Sequence, residues 1–546
     1  MTAPTPTLTS ISTPQAMPRL TLSPAPAPPP IGLVGRRVYL VGIAGSGMSG
    51  LARLLQSRGA LVSGSDLERT PTTEALAGAG VEVGFDQSRP WLPDGCGLVV
   101  HTAAVRPDHP QLLAAQERGV PVMLYAEALG VCMQSATGVC IAGTHGKSTT
   151  TAMLGCALTD AGLDPSVIVG AGCRQLTSGC LGGDADPSPV GFRLGSPQVP
   201  AGALRGRPGI LVAESCEYNR SFHQYRPRVA SISSIEADHL DCYGTLEAVI
   251  ESFRQFAGLL PPASEGGRLL IAHFDAHRRE VTAGVACAVE TIGFTPEADW
   301  VIAYDPAVRR VTLAHDRAAV AEWTMSVPGA HNAFNASIAL ALGLALGADA
   351  PRLADSLSRF RGVDRRMQFL GERPLPGGPV RVFDDYGHHP TEVETTLRAL
   401  RESERPEDRG GRLVCVFQPH QHSRTRHLLD EFANAFGHAD VVIVPDIYFV
   451  RDSQEERHKV DAKDLVNRLR EKKVRAMHLH PFDAIIEQLE HVCRPNDLLV
   501  VMGAGDVWKI GRAYIEGHAP MASASGRCAQ PEHRPEAGAS SRRSGA

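Results

Sequence analysis

Short apolar runs alternate with polar, glycine-rich segments along most of the chain. In its first part the apolar runs predict strands at Val38–Val41, Ala60–Ser63, Val81–Phe85, Leu98–His101 and Val120–Leu124. The segments between these strands are amphipathic with a helical period. Strands that alternate with helices in this way favour a parallel sheet with helices on its faces. We therefore predict a Rossmann-like domain over residues 31–137.

The same alternation recurs twice further along the chain. A second set of strands is predicted at Val139–Ala142, Val167–Val169, Ile210–Ala213, Val229–Ile235 and Leu269–His273, and a third at Val380–Phe383, Leu413–Phe417, Val441–Val444 and Leu498–Val501. The predicted fold class is α/β, with three Rossmann-like domains and mostly parallel sheets, the second domain over 138–360 and the third over 361–518. Residues 1–30 and 519–546 are polar and biased in composition, so we expect disordered ends, and residues 180–208 read as a surface excursion rich in Gly and Pro.

Composition narrows the class of protein. A chain of 546 residues has room for three or four domains. The net charge of −5 gives no basic footprint for nucleic acid. The 12 cysteines form no C-x-x-C pair, which fits a reducing compartment, and we expect a cytoplasmic protein. The apolar runs stay well short of the ~18 residues of a membrane span. Oligomeric state is not visible in the sequence.

A phosphate-binding loop is predicted at the start of the second domain. The strand Val139–Ala142 runs into a bend, and a helix follows from Lys147; the segment comprises Gly143, Thr144, His145, Gly146, Lys147, Ser148 and Thr149. Loop N–H groups and a helix N-terminus favour an anion, while Lys adds a charge and a hydroxyl can hold Mg²⁺. Ile141 stands where the first Gly of the general P-loop pattern belongs, so the loop is a shortened form. We predict that the central domain is a P-loop-type ATPase.

The choice of lysine at this loop strengthens the prediction. The chain has 6 Lys and 48 Arg, and Lys147 is the sole lysine before position 459. A compact ammonium on a flexible stem can reach between phosphates where a planar guanidinium does not fit. An ordinary strand–helix turn with a surface lysine does not explain this choice, so we favour a nucleoside triphosphate site.

A second glycine-rich loop follows the first strand of the chain. Gly45, Gly47 and Gly50 have the spacing of the dinucleotide fingerprint, Ser46 lies between the first two, and Asp66 closes the next strand as a ribose-binding acid would. NAD(P), another nucleoside diphosphate such as a UDP-sugar, and plain packing all remain compatible with this pattern. We favour the UDP-type diphosphate.

Polar residues follow several predicted strands, at the sheet edge where α/β proteins bind ligands. Glu214 ends one strand, and His239 lies in the Glu236–Asp241 segment after another. Both are plausible Mg²⁺ ligands beside a triphosphate. The alternative is that the acids are solvated or cap helices, with Asp238 or Asp241 as N-caps of a helix over Leu246–Phe256.

Two further polar segments remain open from the residues alone. Asn332 and Asn335 begin an Ala- and Leu-rich helix and could read adenine or orient phosphates, while His331 could instead cap that helix. In the third domain, strand ends carry Arg366, Asp385, Tyr386, His388, His422 and Arg424. The histidines could form a metal site, but the arginines beside them favour substrate binding.

Taken together, these motifs resemble one family, the Mur ligases of peptidoglycan synthesis. The resemblance covers about residues 31–517 and rests on eight stretches in order: GIAGSGMSG, GTHGKSTT, EADHLD, PGAHN, RGVDRR, DDYGHHP, QPHQHSRT and MGAGD. It implies a UDP-sugar domain, an ATPase domain and a C-terminal domain that closes over the site. The activity implied is ATP- and Mg²⁺-dependent joining of L-alanine to the carboxylate of UDP-N-acetylmuramate through an acyl phosphate. A ligase that attaches a peptide to the same sugar remains a rival, and an NAD(P)-dependent oxidoreductase is a remote one.

The resemblance also assigns roles by motif. Catalytic roles fall to Lys147, Glu214, His239, Asn332, Arg366 and Asp385; ATP contacts to residues 143–149 and Asn332; UDP-sugar contacts to Gly45, Ser46, Gly47 and Asp66. The Mg²⁺ ligands implied are Ser148, Glu214 and His239, and the amino-acid pocket is Tyr386, His388, His422 and Arg424.

The chain departs from the family pattern after Glu214. Cys216 and Asn219 stand where Asp is typical, so Glu217 becomes a candidate to supply the missing carboxylate. Ser148 replaces the commoner Thr and keeps the hydroxyl. Some relatives use a carbamylated lysine in the central domain, and this chain has no lysine between Lys147 and Lys459 to take that role.

Overall fold

The structure is a computed structural model, and it describes residues 32–182 and 190–517. The predicted disordered ends, 1–30 and 519–546, and residues 183–189 of the predicted excursion lie outside the described residues. Three separate sheets with helices on their faces confirm the predicted α/β class with three Rossmann-like domains. We call the three domains N-terminal, central and C-terminal, in the order in which their sheets occur along the chain.

The N-terminal domain is a five-stranded parallel sheet in the order β3-β2-β1-β4-β5. Its elements are β1 Arg37–Val41, α1 Ser46–Ser57, β2 Leu61–Ser65, α2 Pro71–Gly78, β3 Glu82–Gly84, β4 Cys96–His101, α3 Pro110–Glu117, β5 Val122–Leu124 and α4 Tyr125–Gln134. The predicted glycine-rich loop joins β1 to α1 at the carboxyl end of the sheet.

The central domain has ten strands in the order β15-β14-β13-β12-β11-β10-β6-β9-β7-β8, with antiparallel pairs at both ends. Its elements are β6 Thr137–Ala142, α5 Lys147–Asp160, β7 Ser166–Cys173, β8 Val190–Arg193, β9 Ile210–Glu214, β10 Val229–Ile232, α6 Leu240–Tyr243, α7 Leu246–Ala257, β11 Arg268–Ala272, α8 Arg278–Thr282, β12 Ala288–Gly293, β13 Trp300–Asp305, β14 Arg310–His315, β15 Ala318–Thr324, α9 Ala330–Ala345 and α10 Ala350–Ser358.

The C-terminal domain has six strands in the order β16-β17-β21-β18-β19-β20, of which only β16 runs antiparallel to its neighbour. Its elements are β16 Gln368–Arg373, β17 Val380–Asp385, α11 Pro390–Glu404, β18 Leu413–Phe417, α12 His422–His427, α13 Leu429–Ala435, β19 Val441–Val444, α14 Ala462–Glu471, β20 Ala476–His478, α15 Phe482–Val492, β21 Leu498–Met502 and α16 Trp508–Glu516.

Strand order brings the predicted functional segments together. In the central sheet β6 lies between β10 and β9, so the phosphate loop is flanked by the segments that follow the other two strands. In the C-terminal sheet β17, β21 and β18 are neighbours, so three polar strand ends meet. Strand β6 is buried along its whole length, as expected of a parallel strand covered on both faces. The described helices include none with the length and hydrophobicity that a membrane crossing demands.

Two details differ from the predictions. Strand β10 ends at Ile232, three residues before the predicted Ile235, because the next residues bond to the phosphate loop: Ser234 accepts a hydrogen bond from the Thr144 N–H at 2.8 Å through its carbonyl. The alternative role of Asp238 or Asp241 as N-cap of α7 is wrong, since Thr245 caps that helix through the Ala248 N–H.

One buried side chain supports the segment that joins the central domain to the C-terminal domain. The Gln175 amide donates to the Arg359 carbonyl at 2.9 Å and accepts from the Arg361 N–H at 2.7 Å. Three residues further on, the Asp364 N–H bonds to the Gly172 carbonyl at 2.8 Å. The linker is therefore fixed to the end of β7 and to the loop after it, and this anchor sets where the C-terminal domain meets the central one.

Candidate active site

The phosphate loop between β6 and α5 needs glycine at two positions. Gly143 and Gly146 have φ of +125° and +80°. A Cβ on Gly143 would stand 2.2 Å from the Ser233 hydroxyl, and one on Gly146 would stand 2.4 Å from the Asn335 amide oxygen. The loop is therefore held between the segment after β10 and the first turn of α9. This arrangement leaves the start of α5, with its free N–H groups, facing the cleft.

The Lys147 side chain folds back onto this loop. Its ammonium donates to the Gly143 and Thr144 carbonyls at 2.6 and 2.9 Å and forms an ion pair with Glu217 at 2.9 Å. Burial alone lowers the pKa of Lys147, but the Glu217 carboxylate reverses the effect and holds it above its ordinary value. The lysine is thus a fixed positive charge at the mouth of the helix, as an anion site requires.

Two groups of candidate metal ligands lie beside the lysine. The Ser148 hydroxyl donates to the Glu214 carboxylate at 2.8 Å, and the other oxygen of that carboxylate accepts from the Gly170 N–H at 2.6 Å. His239 lies instead beside Glu217, at 3.8 Å, and beside Asp238, at 3.7 Å. The three predicted metal ligands therefore belong to two adjacent groups, which are linked through the pair of Lys147 and Glu217.

A cleft of about 350 Å³ opens from the phosphate loop between the central and C-terminal domains. Its walls include most of the predicted ATP residues and the predicted residues from the third domain: His145, Gly146, Ser148, Thr149, Asn332, Arg366 and Asp385. Phe274 and Phe294 stand at its rim with 57% and 41% of their surface exposed, and both rings pack near Phe334. Exposed aromatic faces next to a phosphate loop suit a purine base.

The first turn of α9 contributes amides to the cleft. The Asn332 amide donates to the Pro328 carbonyl at 2.7 Å, and Asn335 packs against Gly146. Gly329 occupies the N-cap position, so His331 does not cap α9. Burial, together with the nearby Arg398 and Arg366, lowers the pKa of His331 to about 4, which keeps the imidazole neutral. The sequence offers Asn335, with Asn332, as a contact for adenine or phosphates, and its packing against the phosphate loop makes it part of the site.

Asp385 holds two backbone segments together at the edge of the C-terminal domain. Its carboxylate accepts the Met367 and Gly387 N–H groups, each at 2.7 Å, so it ties the domain's entry segment to the loop after β17. Burial raises the pKa of Asp385 to about 6. Arg366 lies over the Tyr386 ring and 3.4 Å from the Glu392 carboxylate. Both predicted catalytic residues of this domain therefore line the cleft.

The structure brings together three of the four residues that were predicted to form the amino-acid pocket. The His388 ring lies near the rings of Tyr386 and His420, and Arg424 contacts His420 at 3.1 Å. His422 lies elsewhere, beside Asp452 and Phe449. Of the two histidines in the QPHQHSRT motif, the structure thus places His420 next to the other pocket residues.

His420 could not be separated from His422 in the sequence, because both lie in the same loop before or at the start of α12. The bonds of Arg424 to Asp238, at 2.7 and 3.1 Å, also join residues 186 positions apart that no local pattern links. Burial lowers the pKa of His388 to about 4 and that of His420 to about 2, so both imidazoles are neutral.

The glycine-rich loop of the N-terminal domain combines packing with an open face. A Cβ on Gly47 would stand 2.8 Å from the Tyr125 ring, and one on Gly50 would stand 3.1 Å from Phe192 of β8. Gly45 caps α1, and Ser46 begins it. The Asp66 carboxylate accepts the Ala44 N–H at 2.7 Å and so holds the loop in shape. Packing explains two of the glycines, while the N-terminus of α1 stays available to an anion.

His145 of the phosphate loop joins the central and C-terminal domains electrostatically. Its ring nitrogens lie 3.4 Å from Glu236 and 3.3 Å from Glu392. Burial lowers the pKa of His145, but the two carboxylates outweigh that effect and raise it to about 9. Thr391 adds a neutral link, since its hydroxyl donates to Glu236 at 2.6 Å. The contacts of His145 with Glu392 and of Thr391 with Glu236 cross between the domains, so they exist only while the two domains touch.

Comparison with known proteins identifies related chains over the whole described length. The Mur ligase family catalytic domain matches residues 37–137, the Mur ligase middle domain residues 141–343, and the Mur ligase glutamate ligase domain residues 365–505. A UDP-N-acetylmuramate–L-alanine ligase of Agathobacter rectalis is 35% identical over 484 residues, 88% of this chain and 97% of the relative. One of Kineococcus radiotolerans is 40% identical over 482 residues, 87% and 94% of the two chains.

Solved structures agree on the fold. The crystal structure of a UDP-N-acetylmuramate–alanine ligase from Thermotoga maritima aligns with a TM-score of 0.67 at 25% identity, over 88% of this chain and 98% of that one. A murein peptide ligase from Psychrobacter arcticus aligns with a TM-score of 0.64 at 23% identity, over 90% and 100% of the two chains, and shares the fold.

The raised pKa of His145 predicts a pH dependence of stability. The folded chain keeps the His145 proton up to about pH 9, whereas an unfolded histidine releases it near its ordinary pKa of 6.5. The stabilisation is complete below that lower value and is lost as the pH rises through 9. We expect the thermal midpoint to fall across this window in the wild type, and to fall less steeply in His145→Gln.

A His438→Gln variant is the matched control, because that imidazole pairs with Glu394 at the surface. Differential scanning fluorimetry at a series of pH values measures all three proteins. Equal slopes for the wild type and His145→Gln would contradict the prediction.

Proposed function

The chain belongs to the Mur ligase family, and we propose that it joins L-alanine to the carboxylate of UDP-N-acetylmuramate in an ATP-dependent reaction of peptidoglycan precursor synthesis. The observation that carries this proposal is one continuous site. The phosphate loop faces, across a single cleft, the Arg366 and Asp385 edge of the C-terminal domain. Relatives at 35% and 40% identity named for this activity support the choice of substrates. ATP is a cytoplasmic substrate, and a cytoplasmic location is part of the proposal.

ATP occupies the cleft in this proposal. Its phosphates lie on the N-terminus of α5, where the Lys147 ammonium exchanges loop carbonyls for phosphate oxygens. Its base lies toward Phe274, Phe294 and the amides that begin α9. UDP binds the N-terminal domain at the loop from Gly45 to Gly47. The muramyl carboxylate then points from that domain toward the γ-phosphate.

Mg²⁺ fits the oxygen donors beside the phosphate loop. The hydroxyl of Ser148 and the carboxylate of Glu214 are hard ligands of the type this ion prefers, and they already lie 2.8 Å apart. His239, with Glu217 and Asp238, forms the adjacent group. When bound, Mg²⁺ would neutralise charge on the phosphates. We assign Ser148 and Glu214 to it, with His239 as the weaker ligand because its nitrogen is the softer donor.

The chemistry follows from what the substrates require. A carboxylate does not condense with an amine in water unless its oxygen becomes a leaving group. Attack of the muramyl carboxylate on the γ-phosphorus releases ADP and gives an acyl phosphate. The alanine amine then adds to the acyl carbon, and phosphate departs. Contact between the central and C-terminal domains excludes water that would hydrolyse the acyl phosphate.

The amine must lose a proton before or as it attacks. The neutral imidazoles of His388 and His420 can orient the amine by hydrogen bonds, while the low pKa values that burial gives them make both weak proton acceptors. Arg424, whose guanidinium bonds to Asp238 and contacts His420, places positive charge beside the pocket for the carboxylate of the amino acid. Tyr386 closes the pocket on the Arg366 side. The relatives named for L-alanine ligation support an amino acid over a peptide as the acceptor.

Phosphate release tests the function directly. With UDP-N-acetylmuramate, ATP and Mg²⁺ present, we expect L-alanine to give the highest kcat/KM among a panel of amino acids and an L-alanyl peptide. Preference for the peptide would support the recycling-type rival. Reduction or oxidation of a nicotinamide, followed by absorbance, would indicate the remote oxidoreductase alternative, and phosphate release without any amino acid would show an uncoupled ATPase.

Lys147→Arg is expected to lower kcat by more than tenfold. The ammonium makes contacts of 2.6 to 2.9 Å in a pocket with 12% of the side chain exposed, where the larger planar guanidinium does not fit. Lys509→Arg is the control, since that lysine pairs with Asp506 at the surface. Steady-state kinetics and UDP-N-acetylmuramate binding are measured for both. A Lys147→Arg enzyme that keeps more than about a tenth of kcat, a loss below ~1.4 kcal/mol, would show that any cation suffices.

Glu217→Gln keeps the shape of a side chain that is 2% exposed but removes the charge beside Lys147 and His239. Loss of a charge-assisted contact costs about 1.5–3 kcal/mol, so we expect a tenfold or larger fall in kcat or rise in the Mg²⁺ requirement. Glu247→Gln, at the exposed start of α7, is the control. A Mg²⁺ titration of both variants that matches the wild type would leave Glu217 without a functional role.

A further inference from the structure

Three side chains from different segments converge at one edge of the cleft, apart from the pair of Ser148 and Glu214. His145 belongs to the phosphate loop, Glu236 to the segment after β10, and His389 precedes α11 in the C-terminal domain. One donor atom from each lies within 4.8 Å of the others. Glu236 is central to the group, with one carboxylate oxygen 3.4 Å from a His145 nitrogen and 3.7 Å from a His389 nitrogen.

The two spacings to Glu236 are close to those of a metal coordination shell. Bonds of about 2.0–2.2 Å to His and Glu in a tetrahedral site place neighbouring donor atoms roughly 3.3–3.6 Å apart. The two histidine rings are tilted at 48° with centroids 4.8 Å apart, so they do not stack and can face a common point. Small side-chain movements are enough to bring the three donors onto one ion.

The surroundings supply the outer contacts that metal ligands usually have. The second ring nitrogen of His145 lies 3.3 Å from the Glu392 carboxylate, which is the carboxylate–histidine–metal arrangement. The Thr391 hydroxyl donates to Glu236 at 2.6 Å and fixes that carboxylate. A simple ion pair between His145 and Glu236 would need neither a third ligand nor the two outer contacts from Glu392 and Thr391.

One ring nitrogen of His389 can still bind a ligand. His389 is 5% exposed, and its Nε2 has no hydrogen-bond partner in the part of the chain that the structure describes. The other ring nitrogen, Nδ1, accepts the Thr391 N–H at 3.4 Å. Buried polar atoms in native proteins are almost always paired, so the Nε2 of His389 calls for a ligand. The His145 nitrogens face carboxylates, and an ion that binds there takes the place of one of the two protons of that imidazolium.

We propose that His145, Glu236 and His389 bind a divalent d-block cation of the Zn²⁺ type, which bridges the central and C-terminal domains. Two imidazoles and one carboxylate are the donors that such an ion prefers, and they suit Mg²⁺ poorly. The site is therefore chemically distinct from the oxygen ligands assigned to Mg²⁺. Because its ligands come from both domains, the bound ion holds the C-terminal domain against the phosphate loop.

Cobalt(II) titration of the metal-free full-length chain tests the site. The titration is followed by visible absorption in the presence of saturating Mg²⁺, which fills the oxygen-donor site, and Zn²⁺ is then added as competitor. We expect one Co²⁺ per chain with the intense bands of four-coordinate cobalt, and their loss on addition of Zn²⁺. His389→Gln and Glu236→Gln should each weaken Co²⁺ binding by at least tenfold and should abolish the rise in thermal midpoint that Zn²⁺ gives the wild type.

Two control variants locate the ion. His438→Gln, which changes a surface imidazole of the same domain, and His239→Gln, which changes the group assigned beside Mg²⁺, should both keep the cobalt bands. Circular dichroism verifies that each variant is folded, and the two glutamine variants at the site test it independently of each other. Cobalt binding unchanged in both of them, bands lost in His239→Gln instead, or no binding by the wild type would each overturn the proposal. These readouts do not depend on ligase activity, so they separate this proposal from the proposed function.

Discussion

The site depends on buried opposite charges between the central and C-terminal domains. Arg424 of the C-terminal domain meets Asp238 of the central domain, and His145 of the central domain meets Glu392 of the C-terminal domain. Pairs of this kind contribute little net stability, because desolvation offsets most of the attraction, but breaking one leaves an uncompensated buried charge. They therefore favour one relative position of the two domains over neighbouring ones. The phosphate loop, the adenine wall and the amino-acid pocket become a single cleft only in that position.

The need for one relative position of the two domains also explains why hydrogen bonds anchor the linker between them. Gln175 fixes the linker by its amide on both sides of Phe360, and Phe360 itself is fully buried. A linker anchored this way leaves the residues after Asp364 as the place where the C-terminal domain can turn. Arg365 and Met367 both have positive φ, at +59° and +49°, in the segment that leads into β16. Backbone that departs from ordinary helix or strand values lies where the chain must change direction between two rigid sheets.

Local patterns made the fold predictable, and long-range pairs did not. Strand, glycine loop and helix around Lys147 are encoded within a dozen residues, so the class, the phosphate loop and the strand-end acids could be predicted. The partner of Arg424 is 186 residues away, and the ring beside Gly50 belongs to Phe192 in the antiparallel hairpin of β7 and β8. Neither contact has a sequence signal without the fold. For the same reason the motif that contains His420 and His422 could not show which histidine joins the pocket.

The shortened phosphate loop shows how tertiary contacts replace a missing local signal. Ile141, in place of the usual first Gly, continues β6 as a buried strand residue, and the bend begins only at Gly143. A shorter loop has fewer residues to surround a phosphate group, so its shape must be supported from outside. The Ser234 carbonyl and hydroxyl accept the Thr144 and His145 N–H groups and provide that support. The segment that follows β10, the strand next to β6, therefore holds the loop in shape, as extra loop residues do in a longer P-loop. This segment is as much a part of the ATP site as the glycines are.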